Sequence, residues 1–538
     1  MLGLEGRPAH LTPAELLSAI LTAPVDLLWN GGIGTYVKAS TESHAEVGDK
    51  ANDAIRVDGA DLRVRVVGEG GNLGFTQRGR VEAARSGVHI NTDAIDNSAG
   101  VDCSDHEVNI KILLNAVVED GDLTGEGRDQ LLEAMTDEVG RLVLRNNYEQ
   151  NVLLGNARRL APSMLHVHHQ FVRALEADGL LDRALELLPT DAEFDALKDA
   201  HLGLTSPELA VLAAYSKMTL AARLLATALP DEPWSRRLLR DYFPQPLVER
   251  YGDRLESHPL CREIVTTCLV NDMVNRGGIT FVTRAVEETG ASVEHVARAF
   301  AVCRELFGLR EYVDAVEALD NVVDVGVQTT MYLEFRRLLD RSVRWFLRNV
   351  RDDFDVAAEI GRFAPVVRRW RGRMGELLVG SDHERISRGA EEMLALGVPE
   401  ELATRYAGLL DEFALLDVAE TATHATEDAD EVARLYFHLS ERYGASALLD
   451  RIAQLERGDR WQALARGAMR DDLYAALEAL TRSVLTLDGD GSVEERTAAW
   501  EQENAGQLAR TRRTIEEMKG LDRVELAPCR SPCARCAP

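Results

Sequence analysis

The chain has 538 residues, enough for two to four domains and a substantial buried core. Its residues are 45% hydrophobic and 28% charged, an ordinary globular balance, and only 6% are aromatic, so Leu, Val and Ala must build most of the interior. A formal net charge of -28, from 61 Lys+Arg against 89 Asp+Glu, repels phosphate backbones and anionic lipid and so argues against nucleic acid or membrane as a partner.

No apolar run reaches the length of about eighteen residues that a membrane span needs, and Met1-Leu2-Gly3-Leu4-Glu5 carries no basic region followed by an apolar core. Cys103, Cys261, Cys268 and Cys303 lie in apolar or helical context and read as reduced, buried thiols of a cytoplasmic protein. Cys529, Cys533 and Cys536 cluster in the tail, but no fourth ligand lies nearby, so an unstructured tail is favoured over a zinc site.

In chain order, Thr12-Pro13-Ala14-Glu15 starts a helix that runs to about Leu21. Val25–Trp29 reads as a buried parallel strand, ending in the glycine-rich loop Asn30-Gly31-Gly32-Ile33-Gly34-Thr35. A polar helical stretch is expected over Ser43–Ile55. A strand over Arg63–Val67 then enters a second loop, Gly68-Glu69-Gly70-Gly71-Asn72-Leu73-Gly74. A short helix near Gln77–Arg85, with Arg78-Gly79-Arg80 interrupting it early, and a strand over Val88–Asn91 complete a β-loop-α-β alternation. Ligands in such sheets bind at the carboxyl ends of the strands, where both loops fall. The two lysines of the first 67 residues, Lys38 and Lys50, sit in polar stretches that read as solvated.

The fold expected is therefore a partial α/β, Rossmann-like domain followed by a large all-α domain, mainly helical overall. From about Asp105 apolar residues recur at helical spacing, as at Leu131, Met135, Val139 and Leu142 and at Leu209, Leu212, Ala213 and Ser216. Ser206-Pro207-Glu208 and Ser292-Val293-Glu294 each start a helix. Asp488-Gly489-Asp490-Gly491 reads as a solvated turn.

The chemistry concentrates between Gly68 and Glu107. Gly68-x-Gly70-x-x-x-Gly74 suggests a loop touching a nucleotide, with Asp93 or Asp96 as a ribose acid in the less favoured pyrophosphate reading. Cys103-Ser104-Asp105-His106-Glu107 holds every residue type of a hydrolase, but neighbours on a helix diverge and cannot form a relay. Its useful member is Ser104, whose hydroxyl and backbone N–H at a helix N-terminus would hold a carboxylate. His166-Val167-His168-His169 reads as ordinary helix rather than a metal site, and Arg368-Arg369-Trp370-Arg371-Gly372-Arg373 as an ion-pair face toward another helix or subunit.

At these residues a family resemblance emerges. Glu69-Gly70-Gly71-Asn72 resembles the Glu-Gly-Ala-Asn motif of glutamate dehydrogenases, and Asn97-Ser98-Ala99-Gly100-Val101-Asp102-Cys103-Ser104 resembles their Asn-Ala-Gly-Gly-Val-x-x-Ser motif. Trp29-Asn30-Gly31-Gly32-Ile33-Gly34-Thr35-Tyr36-Val37 and the long helical remainder are similar to the large bacterial NAD-specific branch. The resemblance implies NAD as cofactor and L-glutamate and 2-oxoglutarate as substrate and product. It places Asn72 at the nicotinamide ribose, Asn97 at the nicotinamide amide or the substrate amino group, and Ser104 at the distal carboxylate. Asn30, Gly31, Gly70 and Gly71 join the cofactor side. Gly74, where the family commonly has Pro, implies a looser loop.

By the same resemblance, residues 1–200 correspond to the C-terminal part of the catalytic region, 201–510 to a C-terminal helical domain and 511–538 to a disordered tail. The family's catalytic Lys and Asp, and its first nucleotide-binding turn, have no counterpart before Gly68. The expectation is a piece of a longer homo-oligomeric enzyme, tetrameric by the family, and catalytically incomplete alone. The competing expectation is a non-catalytic helical scaffold with a vestigial nucleotide-binding stub.

Overall fold

The computed structural model describes residues 3, 10–455, 460–487, 491–506, 508–510 and 513. The tail containing Cys529, Cys533 and Cys536, and most of the turn at 488–491, lie outside the described residues. The chain divides into two compact units, Met1–Arg284 and Ala285–Pro538. The described residues are mainly helical, and their strands all fall before residue 70.

In the first unit, α1 (Pro13–Leu21) begins where the sequence signals it: Glu15 Oε2 accepts the Thr12 N–H at 2.7 Å while Thr12 Oγ1 accepts the Glu15 N–H at 3.3 Å. Two parallel strand pairs follow. β1 (Leu27–Asn30) lies beside β4 (Val66–Glu69), with Leu27 opposite Val66 and Asn30 opposite Glu69. β2 (Val37–Lys38) lies beside β3 (Val57–Asp58). Val37, Leu62, Val64, Val67, Phe75, Ala83, Val88 and Ile90 form the core beneath them.

Several sequence expectations are corrected here. The stretch Ser43–Ile55 is not one helix: α2 (His44–Val47) stops at Gly48, whose φ of +77° ends the helical run, and a 3-10 turn follows at Lys50–Asn52. The strand expected over Arg63–Val67 is shifted to Val66–Glu69, because Arg65 and Val66 donate to the Asp26 carbonyl at 3.2 and 2.9 Å as the chain enters the pair. Val88–Asn91 makes only a bridge, His89 N–H to Arg65 O and Val67 N–H to His89 O at 2.9 Å each, before the chain turns into the next helix. The strand at Val25–Trp29 is parallel but not buried: Leu27 is 54% and Trp29 62% exposed. Lys38 is not solvated; it is 7% exposed and ion-paired with Asp58, its register partner across β2 and β3. Lys50 is exposed. Of the four described cysteines only Cys303 is buried, and Cys103 is exposed.

α3 (Gln77–Arg85) forms without interruption at Gly79. A Cβ there would stand 2.9 Å from the Lys38 carbonyl carbon, so the glycine lets α3 press on β2. The chain is then helical: α4 (Asp93–Asp96), α5 (Ser98–Glu119), α6 (Gly125–Ala134), the 42-residue α7 (Thr136–Ala177), α8 (Asp191–Asp199) and α9 (Ser206–Leu225), followed by further helices to Gly277. Leu209, Leu212, Ala213 and Ser216 of α9 are all buried, as their spacing requires.

The second unit contains only helices among its described residues. Its core is aromatic where the chain as a whole is not: Phe300, Phe307, Tyr312, Phe335, Phe346, Phe363 and Tyr436 are each less than 2% exposed. The basic run at 368–373 is an ion-pair face within this unit. Arg369 pairs with Asp430, Arg371 with Glu311 at 2.9 Å and Arg373 with Glu376 at 2.6 Å. Arg369 and Arg373 also stack on Trp370, each 5.4 Å from its ring. No helix among the described residues is long and apolar enough to cross a membrane.

Candidate functional site

The two glycine loops leave the carboxyl ends of β1 and β4 together and hold each other. Gly71 donates to Asn30 O at 3.0 Å, Thr35 Oγ1 to Leu73 O at 2.8 Å, and Tyr36 N–H to Gly74 O at 2.8 Å. A Cβ on Gly70 would lie 2.6 Å from the Trp29 ring, and one on Gly71 2.6 Å from the Gly32 carbonyl oxygen. These two glycines are thus demanded by contacts within the chain, whatever else binds there. Gly31 has ordinary room, 3.5 Å from Trp29. Gly74 does not loosen the loop: a Cβ there would fall 1.5 Å from Asn30 Nδ2, so only glycine lets the strand-end amide seat behind it. That Nδ2 is buried and has no hydrogen-bond partner.

A charged network fixes the second loop to α3 and α4. Glu69 is fully buried and accepts from Arg80 Nε at 2.7 Å, from Arg80 Nη2 at 3.0 Å and from Phe75 N–H at 3.2 Å. Arg80 also reaches Asp93 at 3.1 Å. Burial raises the Glu69 pKa against the opposing pull of Arg80. Burial works against the Arg80 charge too, but Glu69 and Asp93 outweigh it and raise its pKa. Asp93 Oδ2 accepts the Leu73 N–H at 2.8 Å, and Asp96 Oδ2 accepts the Glu69 N–H at 3.0 Å. Burial raises the Asp96 pKa as well. Both candidate ribose acids are therefore engaged inside the chain, bracing the loop.

The consequence of that bracing is the placement of Asn72 beside Asn97. Asn97 Nδ2 donates to Asn72 Oδ1 at 2.9 Å across 25 residues of sequence. The pair is neutral at every ordinary pH; Asn72 is exposed, and Asn97 is half-buried with its Oδ1 over Gly100, 3.2 Å from where a Cβ would stand. Asn97 is also the N-cap residue of α5. The helix starts six residues before Ser104, so the Ser104 N–H belongs to the helical ladder and is not a free terminal donor. The open donors at that terminus are at Ser98 and Ala99, and Ser104 offers only its exposed hydroxyl, which makes no hydrogen bond. Seven residues separate Asn97 from Ser104, about two turns or roughly 10 Å along one helix face.

Part of the support was not legible as a motif. On α7, Asn147 Nδ2 donates to Ile95 O at 2.8 Å and Ser98 Oγ at 2.9 Å, Asn146 Nδ2 to Asp102 at 2.8 Å, and Asn151 Oδ1 accepts from Asn91 at 2.9 Å. The one available signal was the run of asparagines at 146, 147 and 151 inside a long helix, where asparagine is a weak helix former.

The other constellations stay apart. In α5, Cys103 and Ser104 are exposed, whereas His106 is 1% exposed and stacks on Tyr242 with ring centres 4.4 Å apart. Burial lowers the His106 pKa, opposed by Asp102 and Asp105. His168 is buried, and His169 pairs with Asp191 at 2.7 Å while stacking on Phe194. Among the described residues no group of His, Cys, Asp and Glu is arranged to hold a metal.

A model of the family described as bacterial NAD-glutamate dehydrogenase, catalytic domain, matches residues 1–157, and one described as glutamate dehydrogenase, C-terminal, matches residues 201–530. The chain belongs to the bacterial NAD-glutamate dehydrogenase family. It is 45% identical over 525 residues to the NAD-specific glutamate dehydrogenase of Mycobacterium tuberculosis, covering 97% of this chain and 32% of that protein. The proteins of the same name from Pseudomonas aeruginosa and Halomonas elongata are each 45% identical, over 96% and 95% of this chain and 32% of their own lengths. The chain thus spans about a third of the curated relatives it matches.

Proposed function

We propose that the chain is the cofactor- and substrate-facing end of an NAD-dependent glutamate dehydrogenase, working as part of a longer enzyme. The reaction is L-glutamate + NAD⁺ + water giving 2-oxoglutarate, ammonium and NADH with release of a proton. The observation that carries the reading is the Asn72–Asn97 amide pair at the strand ends, inside the stretch matched by the catalytic-domain model. NAD fits these residues, because a pair of neutral amides, one exposed and one half-buried, complements a carboxamide and ribose hydroxyls without titrating. When bound, NAD accepts the hydride from the substrate α-carbon.

In this reading Asn72 holds the nicotinamide ribose, and Asn97 orients the carboxamide or the substrate amino group. Ser104 donates its hydroxyl to the distal carboxylate, while Asn30, Gly31, Gly70 and Gly71 form the loop wall beside the cofactor. Asn30 is supported by its buried, unpartnered Nδ2. The β1–β4 pair with α3 is the last part of a Rossmann-like sheet. Residues 1–200 are the end of the catalytic region and 201–510 the helical domain; 511–538, read as a tail, lies almost wholly outside the described residues. The enzyme works in the cytoplasm as a homo-oligomer, a tetramer by family likeness, which sedimentation of the intact chain over a concentration range tests.

The functional test is NADH formation after the chain is mixed with the portion of the Mycobacterium tuberculosis relative that it does not match. Glutamate-dependent NADH production that Asn97→Ala abolishes is the expected result. Heat stabilisation by neither NAD nor glutamate in that mixture would instead favour a non-catalytic scaffold.

A further inference from the structure

We propose that Thr35 is a positioning residue for the reaction: its hydroxyl, together with Asp93, holds Leu73 in a left-handed conformation and so aims the Asn72 amide. The proposal rests on the functional reading above, which gives Asn72 its place at the cofactor.

Among the described residues five non-glycine residues have a positive φ, and Leu73 is the one that lies in the candidate site, at +59°. In the left-handed region the Cβ of an L-residue crowds the following carbonyl oxygen, so a leucine stays there only when its surroundings compel it. Burial does not compel it, because Leu73 is 65% exposed. Its backbone is what is held. Asp93 Oδ2 accepts the Leu73 N–H at 2.8 Å, and Thr35 Oγ1 donates to the Leu73 carbonyl at 2.8 Å. The first bond holds the peptide plane on the Asn72 side of Leu73, and the second holds the plane on the Gly74 side. With both planes held, the φ and ψ between them are held too. The direction in which Asn72 leaves the backbone follows, and with it the amide that meets Asn97 at 2.9 Å.

Thr35 can serve as an anchor because it is itself clamped. Its N–H donates to Asp49 Oδ2 at 2.8 Å, and its carbonyl accepts from Arg56 Nε at 2.8 Å. Asp49 Oδ2 also accepts from Asn52 Nδ2 at 2.6 Å. The Arg56 side chain has no solvent exposure and is ion-paired with Asp53 at 2.6 Å. The first glycine loop therefore supplies a fixed hydroxyl, and the second supplies the strained residue that the hydroxyl holds, 38 positions further on. Gly71 and Tyr36 also tie the loops together, but through backbone groups that no ordinary substitution removes. Thr35 does so through a side chain that can be changed.

Three substitutions make the test. Thr35→Val deletes the hydroxyl at nearly constant shape, Thr35→Ser keeps it, and Leu73→Asn supplies a residue that tolerates the left-handed region. In the full chain alone, Thr35→Val should speed hydrogen exchange of residues 71–75 about three- to tenfold, the value of one neutral hydrogen bond, while the α3 amides stay as they were and Thr35→Ser behaves like the parent. In the chain mixed with the unmatched portion of the Mycobacterium tuberculosis relative, Thr35→Val should raise KM for NAD by about the same factor and leave KM for glutamate within about twofold, and Thr35→Ser should restore the parent value. In a Leu73→Asn background the effect of Thr35→Val should shrink toward none, because that residue keeps the turn without the clamp. Unchanged exchange at 71–75, an equal rise in both KM values, or a Thr35→Val effect undiminished by Leu73→Asn would each overturn the proposal. Faster exchange with unaltered NADH kinetics would reject the positioning role and leave the functional reading standing. A parent mixture that forms no NADH would remove that reading, and the role of Thr35 with it, whatever the exchange shows.

Discussion

Replacing Arg80 by Met tests how the loop bearing Asn72 is held. The Glu69 carboxylate has no solvent contact and three donors: Arg80 Nε at 2.7 Å, Arg80 Nη2 at 3.0 Å and the Phe75 N–H at 3.2 Å. Met keeps much of the stem volume but leaves the carboxylate with one backbone donor in a dry site. Removing one member of a buried ion pair costs about 3–5 kcal/mol. The cost has a ceiling, because Glu69 can take up a proton instead. Burial already raises its pKa, and losing Arg80, which opposes that rise, lifts it further. With the folded pKa above the unfolded one, the folded state binds the proton more tightly. The loss is therefore small at pH values below the unfolded pKa of about 4.3 and grows as pH rises through the folded value. Hydrogen exchange of peptides spanning 66–85, corrected for intrinsic rates, reads this locally, which matters in a chain of two units that need not open together. At pH 8 these amides should exchange on the order of 100- to 5,000-fold faster in the variant, the equivalent of that free energy, and the acceleration should shrink toward pH 5. Adding Glu69→Gln should recover most of it. Acceleration below tenfold at pH 8, or a loss independent of pH, would refute this account of the network.

Three further outcomes are expected. Ser104→Ala in the reconstituted enzyme should raise KM for glutamate roughly ten- to a hundredfold, the value of a hydrogen bond to a charged group, and leave KM for NAD nearly unchanged; equal effects on both would reject the carboxylate role. The purified chain alone, given excess glutamate and NAD, should match the buffer blank, because positioning both reactants supplies roughly 7–11 kcal/mol of barrier reduction, and of the two lysines before the second glycine loop Lys38 is ion-paired with Asp58 and Lys50 is exposed; Lys38 is the position to mutate if turnover appears, since it is buried against Asp58. In the second unit, Asp417 is 3% exposed and held by Trp345 Nε1 at 2.7 Å and the Tyr436 hydroxyl at 3.1 Å, and burial, aided by Glu478, pushes its carboxyl up to about 7. Since the folded pKa lies above the unfolded one, stability falls as pH climbs from about 4 through 7, by on the order of 4 kcal/mol, and Asp417→Asn should flatten that slope in a series of thermal melts; an unchanged slope would mean that the group does not titrate there.

What the sequence determined by itself is local. Helix starts are written in a few consecutive residues: Thr12 with Glu15 and Ser292 each begin a helix at the expected position, and the start read at Ser206-Pro207-Glu208 holds, with Thr205 before it as the cap. Gln77–Arg85 is helical to the residue, and the recurrence of apolar residues named the buried face of α9. The motif resemblance assigned Asn72 and Asn97 to one candidate site, and they meet at 2.9 Å across 25 residues. Tertiary structure decided everything that depends on residues meeting across long stretches of chain. Lys38 looks solvated until β3 brings Asp58 beside it, and Trp29 looks buried until the face it occupies is seen to be open. Ser104 reads as a helix start until Asn97 is found capping a helix that begins six residues earlier. The glycines of the second loop read as room for a ligand, yet Trp29, Gly32 and Asn30 already press against them from some forty residues away. Hydrogen bonds and steric limits of that range leave no periodicity in the sequence, because each is set by a single contact in space and not by a repeat along the chain.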